Sequence, residues 1–257
     1  MKMIPKYYSF AEAFRSCVRY IFNFQKETLS VVMVIACIHF LALSPFNPYY
    51  HSFLRLFDLP DLSKPWEYFQ IFQSFSVWIP AMITLSVLVF LSLLERIYLI
   101  SIFIRYHADN SEPMLWKDLL RSFIFMPALF IADILYAVLV VSGSLLILPG
   151  LIWSVTYMFY SFALIQQRKS FFQAFTHSAS LVYGIRWPLF GLLVFMTFFE
   201  LFLVQGVVMV FSSYEYVATA LAYLLSAIFT VFKTFIFAAI YLQLNDQHVA
   251  ETIENEK

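Results

Sequence analysis

Three charged side chains stand deep inside long apolar runs: Asp133, Glu200 and Lys233. Glu200 lies 13 residues beyond Trp187, Lys233 lies 11 before Leu244, and Asp133 lies 11 beyond Ser122. At about 1.5 Å per helical residue, Glu200 and Lys233 differ in depth by roughly 3 Å, and Asp133 sits at a similar level. A carboxylate and an ammonium on neighbouring helices at one depth can pair and so fix how the helices rotate. Asp133 is then satisfied by nearby Ser, Tyr or water. The same three groups can instead line a polar cavity that binds an ion, a proton or a headgroup. A third reading leaves them facing lipid and snorkelling toward the interface. An intramembrane charge costs about 2.5–3.5 kcal/mol, so any of these roles must repay placing it there.

Other residues with chemical potential are weaker. His39 lies 11 residues past Thr28 at a comparable depth, without a ligand-spaced partner, and His177 has none either. Glu95-Arg96 reads as an end-of-helix pair on the cytoplasmic side, with contact to lipid phosphate as the second reading. His107, Asp109 and Glu112 read as a solvated loop, a metal cluster being the alternative. No Gly-rich phosphate loop, HExxH, GxSxG or CxxC occurs in the chain, so neither enzymatic activity nor a cofactor or metal is expected.

The elements that must position these groups are membrane spans. Of 257 residues, 62% are hydrophobic and 12% charged, with a mean hydropathy of +0.79; soluble domains have about 45–50% apolar and about 25% charged residues. Lys+Arg and Asp+Glu balance at 16 each, which gives no electrostatic case for nucleic acid. Cys17 precedes the first span and Cys37 lies inside it, so no disulfide is implied. The early charges, spread from Lys2 to Lys26, do not fit a signal peptide.

Six spans are expected: Thr28–Ser44, Val77–Arg105, Ser122–Leu146, a fourth from the Leu148-Pro149-Gly150 corner to Ile165, Trp187–Phe211 and Val217–Leu244. They read as continuous helices, with Pro127 and Gly206 the obvious interior breakers. Of the 16 Lys and Arg residues, all but Arg55, Lys64, Arg96 and Lys233 fall on the side of the two termini. The positive-inside rule therefore puts both ends in the cytoplasm. Residues 1–27 form an interfacial helix region, residues 28–244 the spans, and Asn245–Lys257 a polar cytoplasmic tail.

Two segments share a pattern. Ser9-Phe-Ala-Glu-Ala-Phe14 and Ser170-Phe-Phe-Gln-Ala-Phe175 both have capping-box spacing and both precede a pair of spans. Phe10, Ala13, Phe14, Cys17, Ile21 and Phe24 fall on one face of the first, and Phe171, Ala174, Phe175, Ser178 and Val182 on one face of the second. Each reads as a helix lying in the interface over 1–27 and 170–184. Gly184 is the expected C-cap of the second, and Pro188 suits the first turn of the next span. A third copy near Leu115–Leu120 completes three hairpins, each preceded by an interfacial helix. Along the last span, Ala218, Ala222, Ser226, Thr230 and Thr234 recur every four residues. Close intramolecular packing explains such a stripe, and a seam in a homo-oligomer is the alternative.

The text Leu146-Ile-Leu-Pro-Gly150, the aromatic span after it, Gln173-Ala-Phe175…Ser178 and Gly184…Trp187 resembles the YciC-like bacterial membrane proteins. These are related to the membrane domain attached to some glycerophosphodiester phosphodiesterases. The resemblance implies an all-α integral membrane bundle of the bacterial inner membrane and assigns no catalytic residue. The flat amphipathic helices and the aromatic load point to a non-enzymatic, structural or lipid-associated protein, with membrane lipids as partners. The alternative is a small transporter using Asp133, Glu200 and Lys233, which helices broken at the midplane would favour.

Overall fold

The computed structural model describes residues 9–23, 75–109, 115–145, 148–168 and 170–255, together with positions 29, 30, 32–34, 36, 37 and 40. The described elements are helices: α1 (Phe10–Asn23), α2 (Phe75–Asp109), α3 (Leu115–Ser144), α4 (Leu148–Thr156), α5 (Tyr160–Gln167), α6 (Phe171–Val182), α7 (Arg186–Val210) and α8 (Glu215–Asn255). Among the described residues, five segments are long and apolar enough to cross a membrane: Met82–Ala108, Ser122–Ser144, Leu148–Gln167, Arg186–Val210 and Tyr216–Ala250. Large apolar side chains such as Trp187, Phe198, Phe202 and Met209 of α7 lie exposed, as the lipid-facing side of a multi-pass membrane protein requires. Of the expected first span only scattered positions are described. They are helical, with Val32 and Ala36 buried. Most of the loop from Phe46 to Ser76 lies outside the described residues.

Several boundaries differ from the sequence reading. Leu115–Leu120 is no separate interfacial helix but the first turns of α3, because no Gly or Pro stands between it and Ser122. The expected tail is helical to Asn255, since Gln247, Ala250 and Glu251 are compatible with helix and nothing breaks α8. Pro149 and Gly150 are not the corner itself but the first turn of α4. A Cβ on Gly150 would meet the Ser144 backbone nitrogen at 2.6 Å, and one on Gly143 the Gly150 nitrogen at 2.8 Å. The two glycines thus let α3 and α4 pack backbone to backbone just below their connection. Gly184 has φ +91, the left-handed conformation expected after a helix end. Pro188 lies in the first turn of α7.

The matched segments bury the same register. In α1 the buried residues are Ala13, Cys17 and Tyr20; in α6, Ala174, Ser178 and Leu181 occupy equivalent positions and are fully buried. Phe10 and Phe14, which the sequence reading puts on the same apolar face as Ala13 and Cys17, are exposed. The Cys17 side, where small residues permit close approach, meets α8 instead. The helices also start differently. Gln173 Oε1 accepts the Ser170 N–H at 3.3 Å, as a capping box requires, whereas the Ser9 N–H is taken by Gln243 Oε1 of α8 at 3.0 Å. Of the box expected at Ser9, the bond from the Glu12 N–H to Ser9 Oγ remains, at 3.3 Å.

Aromatic rings join α1 to the bundle. Tyr20 packs edge-on against Phe235 at 4.8 Å between centroids, and Phe103 stacks on Phe235 at 5.1 Å. Such pairs contribute about 0.5–1.5 kcal/mol each beyond area burial.

Candidate functional site: a charged cavity beside a broken span

The segment expected as the fourth span is two helices. Between α4 and α5, residues Tyr157–Phe159 form a turn. The expectation of a continuous helix is therefore corrected. No Gly or Pro stands at the break; its cause lies in α6. Ser178 Oγ accepts the Phe159 N–H at 3.1 Å and donates to the Thr156 carbonyl at 2.9 Å. One buried hydroxyl thus serves a donor and an acceptor that the break strips of helical partners, which is how an interrupted span is tolerated away from water. Phe175 stacks on Tyr160 with centroids 4.9 Å apart and meets Tyr157 edge-on at 5.3 Å. Accordingly α6 packs on the broken span.

The break sets Tyr160 at the first position of α5, facing Arg96 and Asp133. Arg96 Nη1 bonds Asp133 Oδ1 at 3.0 Å and Tyr160 Oη at 3.2 Å, and the Tyr160 hydroxyl donates to Asp133 Oδ1. Arg96 is therefore no end-of-helix residue. It sits well inside α2, which runs on to Asp109, and ties three elements together. Across from it, Lys233 Nζ of α8 bonds Glu200 Oε2 of α7 at 2.5 Å, and Ser226 Oγ donates to Glu200 Oε1 at 3.0 Å.

The expected cluster of Asp133, Glu200 and Lys233 is thus divided. Glu200 and Lys233 meet, as their depths predict, while Asp133 pairs with Arg96. Sequence reasoning missed Arg96 because the Glu95-Arg96 pair interrupts the apolar run and looks like its end. It missed Tyr160 because an aromatic in an aromatic-rich span carries no signal.

Between these networks lies a cavity of about 460 Å³, within the roughly 300–1,000 Å³ usual for small-molecule sites. Glu95, Arg96 and Ser92 of α2 line one side, and Lys233, Thr230 and Thr234 of α8 another. Tyr136, Ser154, Tyr160 and Ser161 complete its polar surface, with the Tyr136 hydroxyl donating to the Ser154 carbonyl at 3.0 Å. Both cations therefore reach the cavity wall. The stripe from Ala218 to Thr234 is partly accounted for within the chain, through the Ser226 bond and two cavity-lining threonines.

Other candidates resolve differently. His177 is one corner of a hydrogen-bonded triad: it lies 3.0 Å from both Asn245 Oδ1 and Gln167 Nε2, and Gln167 donates to Asn245 at 2.7 Å. Among the described residues no group of His, Cys, Asp and Glu could hold a metal ion. His39 and Glu112, and the side chain of Asp109, lie outside the described residues. Cys17 is buried against the Phe232 carbonyl at 4.0 Å, and burial pushes its thiol from 9.0 up to about 12. It is a packing residue, not a nucleophile.

No protein-family model, curated protein or solved structure matches the chain.

Proposed function

We propose that this is a small non-enzymatic carrier of the bacterial inner membrane, moving a small polar solute through the cavity walled by Arg96 and Lys233. The observation that carries the reading is a cavity with Arg96, Lys233 and several hydroxyls on its wall, set against a span that breaks beside it. An interrupted helix can reorient side chains at a site inside the membrane; here the Tyr160 hydroxyl, directly after the break, meets Arg96 and Asp133. Arg96 and Lys233 present donors to the cavity while Asp133 and Glu200 hold them in place. The hydroxyls of Ser161, Thr230 and Thr234 offer neutral polar contacts for the solute.

The same reading includes six spans with both termini in the cytoplasm, the segment Thr28–Ser44 being the additional span. It also includes kinship with the YciC-like proteins, on the motif around Pro149-Gly150 and Gly184-Pro188.

The test is two-sided access. Thr234→Cys, built on Cys37→Ala, is treated with a membrane-impermeant maleimide in right-side-out and in inverted vesicles. A carrier exposes this position to each side in turn, so labelling is expected from both. Labelling from one side only, or from neither, contradicts the reading.

A lipid-associated role is the second reading, favoured by one feature. An apolar groove of about 410 Å³ runs between α1, α7 and α8, lined by Phe10, Phe14, Phe195, Phe199 and Phe232 among others. An acyl chain fits such a surface, and co-purification of a stoichiometric lipid that Phe14→Ala abolishes would favour it.

A further inference from the structure

We propose that Glu95 is a proton-binding carboxyl in the cavity wall, through which the carrier is coupled to protons. The inference rests on the carrier reading for its purpose, but on separate observations for its chemistry.

The first observation is a count of partners. Around the cavity, α2 carries Glu95 and Arg96, α3 carries Asp133 and Tyr136, α5 carries Tyr160, and α8 carries Lys233, backed by Glu200 of α7. Arg96 is paired with Asp133, and Lys233 with Glu200. Tyr160 donates to Asp133, and Tyr136 to the Ser154 carbonyl. Each ion pair sums to zero charge, and Glu95 is the carboxyl that belongs to neither. Among the described residues nothing hydrogen-bonds Glu95 Oε1, which is nonetheless buried.

The second observation is the shape of its surroundings. Glu95 lines the cavity, so water there can deliver a proton to the carboxyl. Yet Oε1 is covered by protein. An ammonium group or a partly hydrated sodium ion needs several oxygens around it and room to approach. A proton needs neither. Ionised, Glu95 would be a second carboxylate beside an Arg96 that Asp133 already neutralises, and a charge inside a span costs about 2.5–3.5 kcal/mol on insertion scales. Taking one proton, –COO⁻ + H⁺ → –COOH, removes that charge, and losing it to the opposite side of the membrane restores the carboxylate. Arg96 does not do the same work, because Asp133 and Tyr160 already hold its guanidinium.

The experiment is infrared difference spectroscopy on the full chain in nanodiscs, reading the carboxylic-acid C=O stretch and its shift in heavy water. At about pH 7 exposed Asp and Glu are ionised and silent in this region. The expected result is a protonated-carboxyl band in wild type that Glu95→Gln removes and that Asp133→Asn and Glu200→Gln leave in place. The wild-type spectrum decides by itself if the variant does not fold, because absence of the band overturns the proposal. So does a band that persists in Glu95→Gln, or one that disappears on adding sodium at constant pH. None of these outcomes depends on solute or on two-sided labelling. A failed band with intact two-sided access leaves a carrier without this proton site, whereas an intact band with failed access leaves a proton site that is not part of a carrier.

Discussion

The two ion pairs on the cavity wall are built alike and tied down differently. Each joins a cation to a carboxylate on a neighbouring helix, and each carboxylate also accepts a hydroxyl. Lys233, Glu200 and Ser226 all belong to the α7–α8 hairpin, with Ser226 two turns before Lys233 on α8. Arg96, Asp133 and Tyr160 come from α2, α3 and α5, and Tyr160 stands directly after the break between α4 and α5. Side-chain exposure follows the same division, at 25% and 16% for Lys233 and Glu200 against 36% and 24% for Arg96 and Asp133. One pair closes a local hairpin. The other reports on how three elements stand relative to one another, and under the proposed carrier function is the one a change of access would disturb.

The strongest way to break this comparison is to remove one member of each pair. Glu200→Leu or Lys233→Leu alone strands a charge inside the bundle and is expected to cost about 3 kcal/mol of stability in detergent. The double variant should recover most of that loss, because both charges leave together. Arg96→Leu with Asp133→Leu should recover less, because the Tyr160 hydroxyl is left without its acceptor. Equal recovery in the two doubles, read from thermal unfolding, would erase the distinction.

Ser178→Ala acts on the Arg96 side alone. Losing the hydroxyl leaves the Phe159 N–H and the Thr156 carbonyl unsatisfied, at about 2 kcal/mol. Cys17→Ala, its counterpart in register on α1, should cost less, since the Cys17 sulfur makes one long contact to a carbonyl. Tyr160→Phe against Ser226→Ala compares the hydroxyls themselves. Each hydrogen bond to a charged group is expected to contribute about 1.5 kcal/mol or more, with the larger loss at Tyr160, which serves both Arg96 and Asp133.

The smallest effect is one of pH at Cys17, away from both pairs. Its thiol is raised from 9.0 to about 12 in the folded chain, so folding favours the protonated form. The corresponding stability is fully present below pH 9 and is lost as pH rises from 9 toward 12. Unfolding midpoints of wild type and Cys17→Ala should therefore converge over that interval and run parallel below it.

Much of the helical layout was legible because apolar runs of membrane length leave little choice of structure. The depth argument that paired Glu200 with Lys233 also needed only residue counts along two antiparallel helices. The match of Ser9–Phe14 to Ser170–Phe175 marked two helices, and the structure adds that they bury the same register. Their environments were not legible. Whether Ser9 meets its own helix or Gln243 depends on tertiary packing, and so does whether position 17 or 178 rests on an intact or a broken helix. The break was invisible because its cause, Ser178, lies about twenty residues away and no Gly or Pro marks the site. Arg96 was misplaced for a related reason: a charge pair in an apolar run looks like the run's end until its partner on another helix is known.

The most direct test puts the two pairs through the same access measurement. Thr234→Cys, on Cys37→Ala, is labelled from each side of the membrane in the Arg96→Leu/Asp133→Leu and the Glu200→Leu/Lys233→Leu backgrounds. If the Arg96 network governs the change of access and the Lys233 pair only closes its hairpin, the first background confines labelling to one side and the second keeps it on both. Two-sided labelling in both backgrounds, or its loss only with Glu200 and Lys233, would contradict the account.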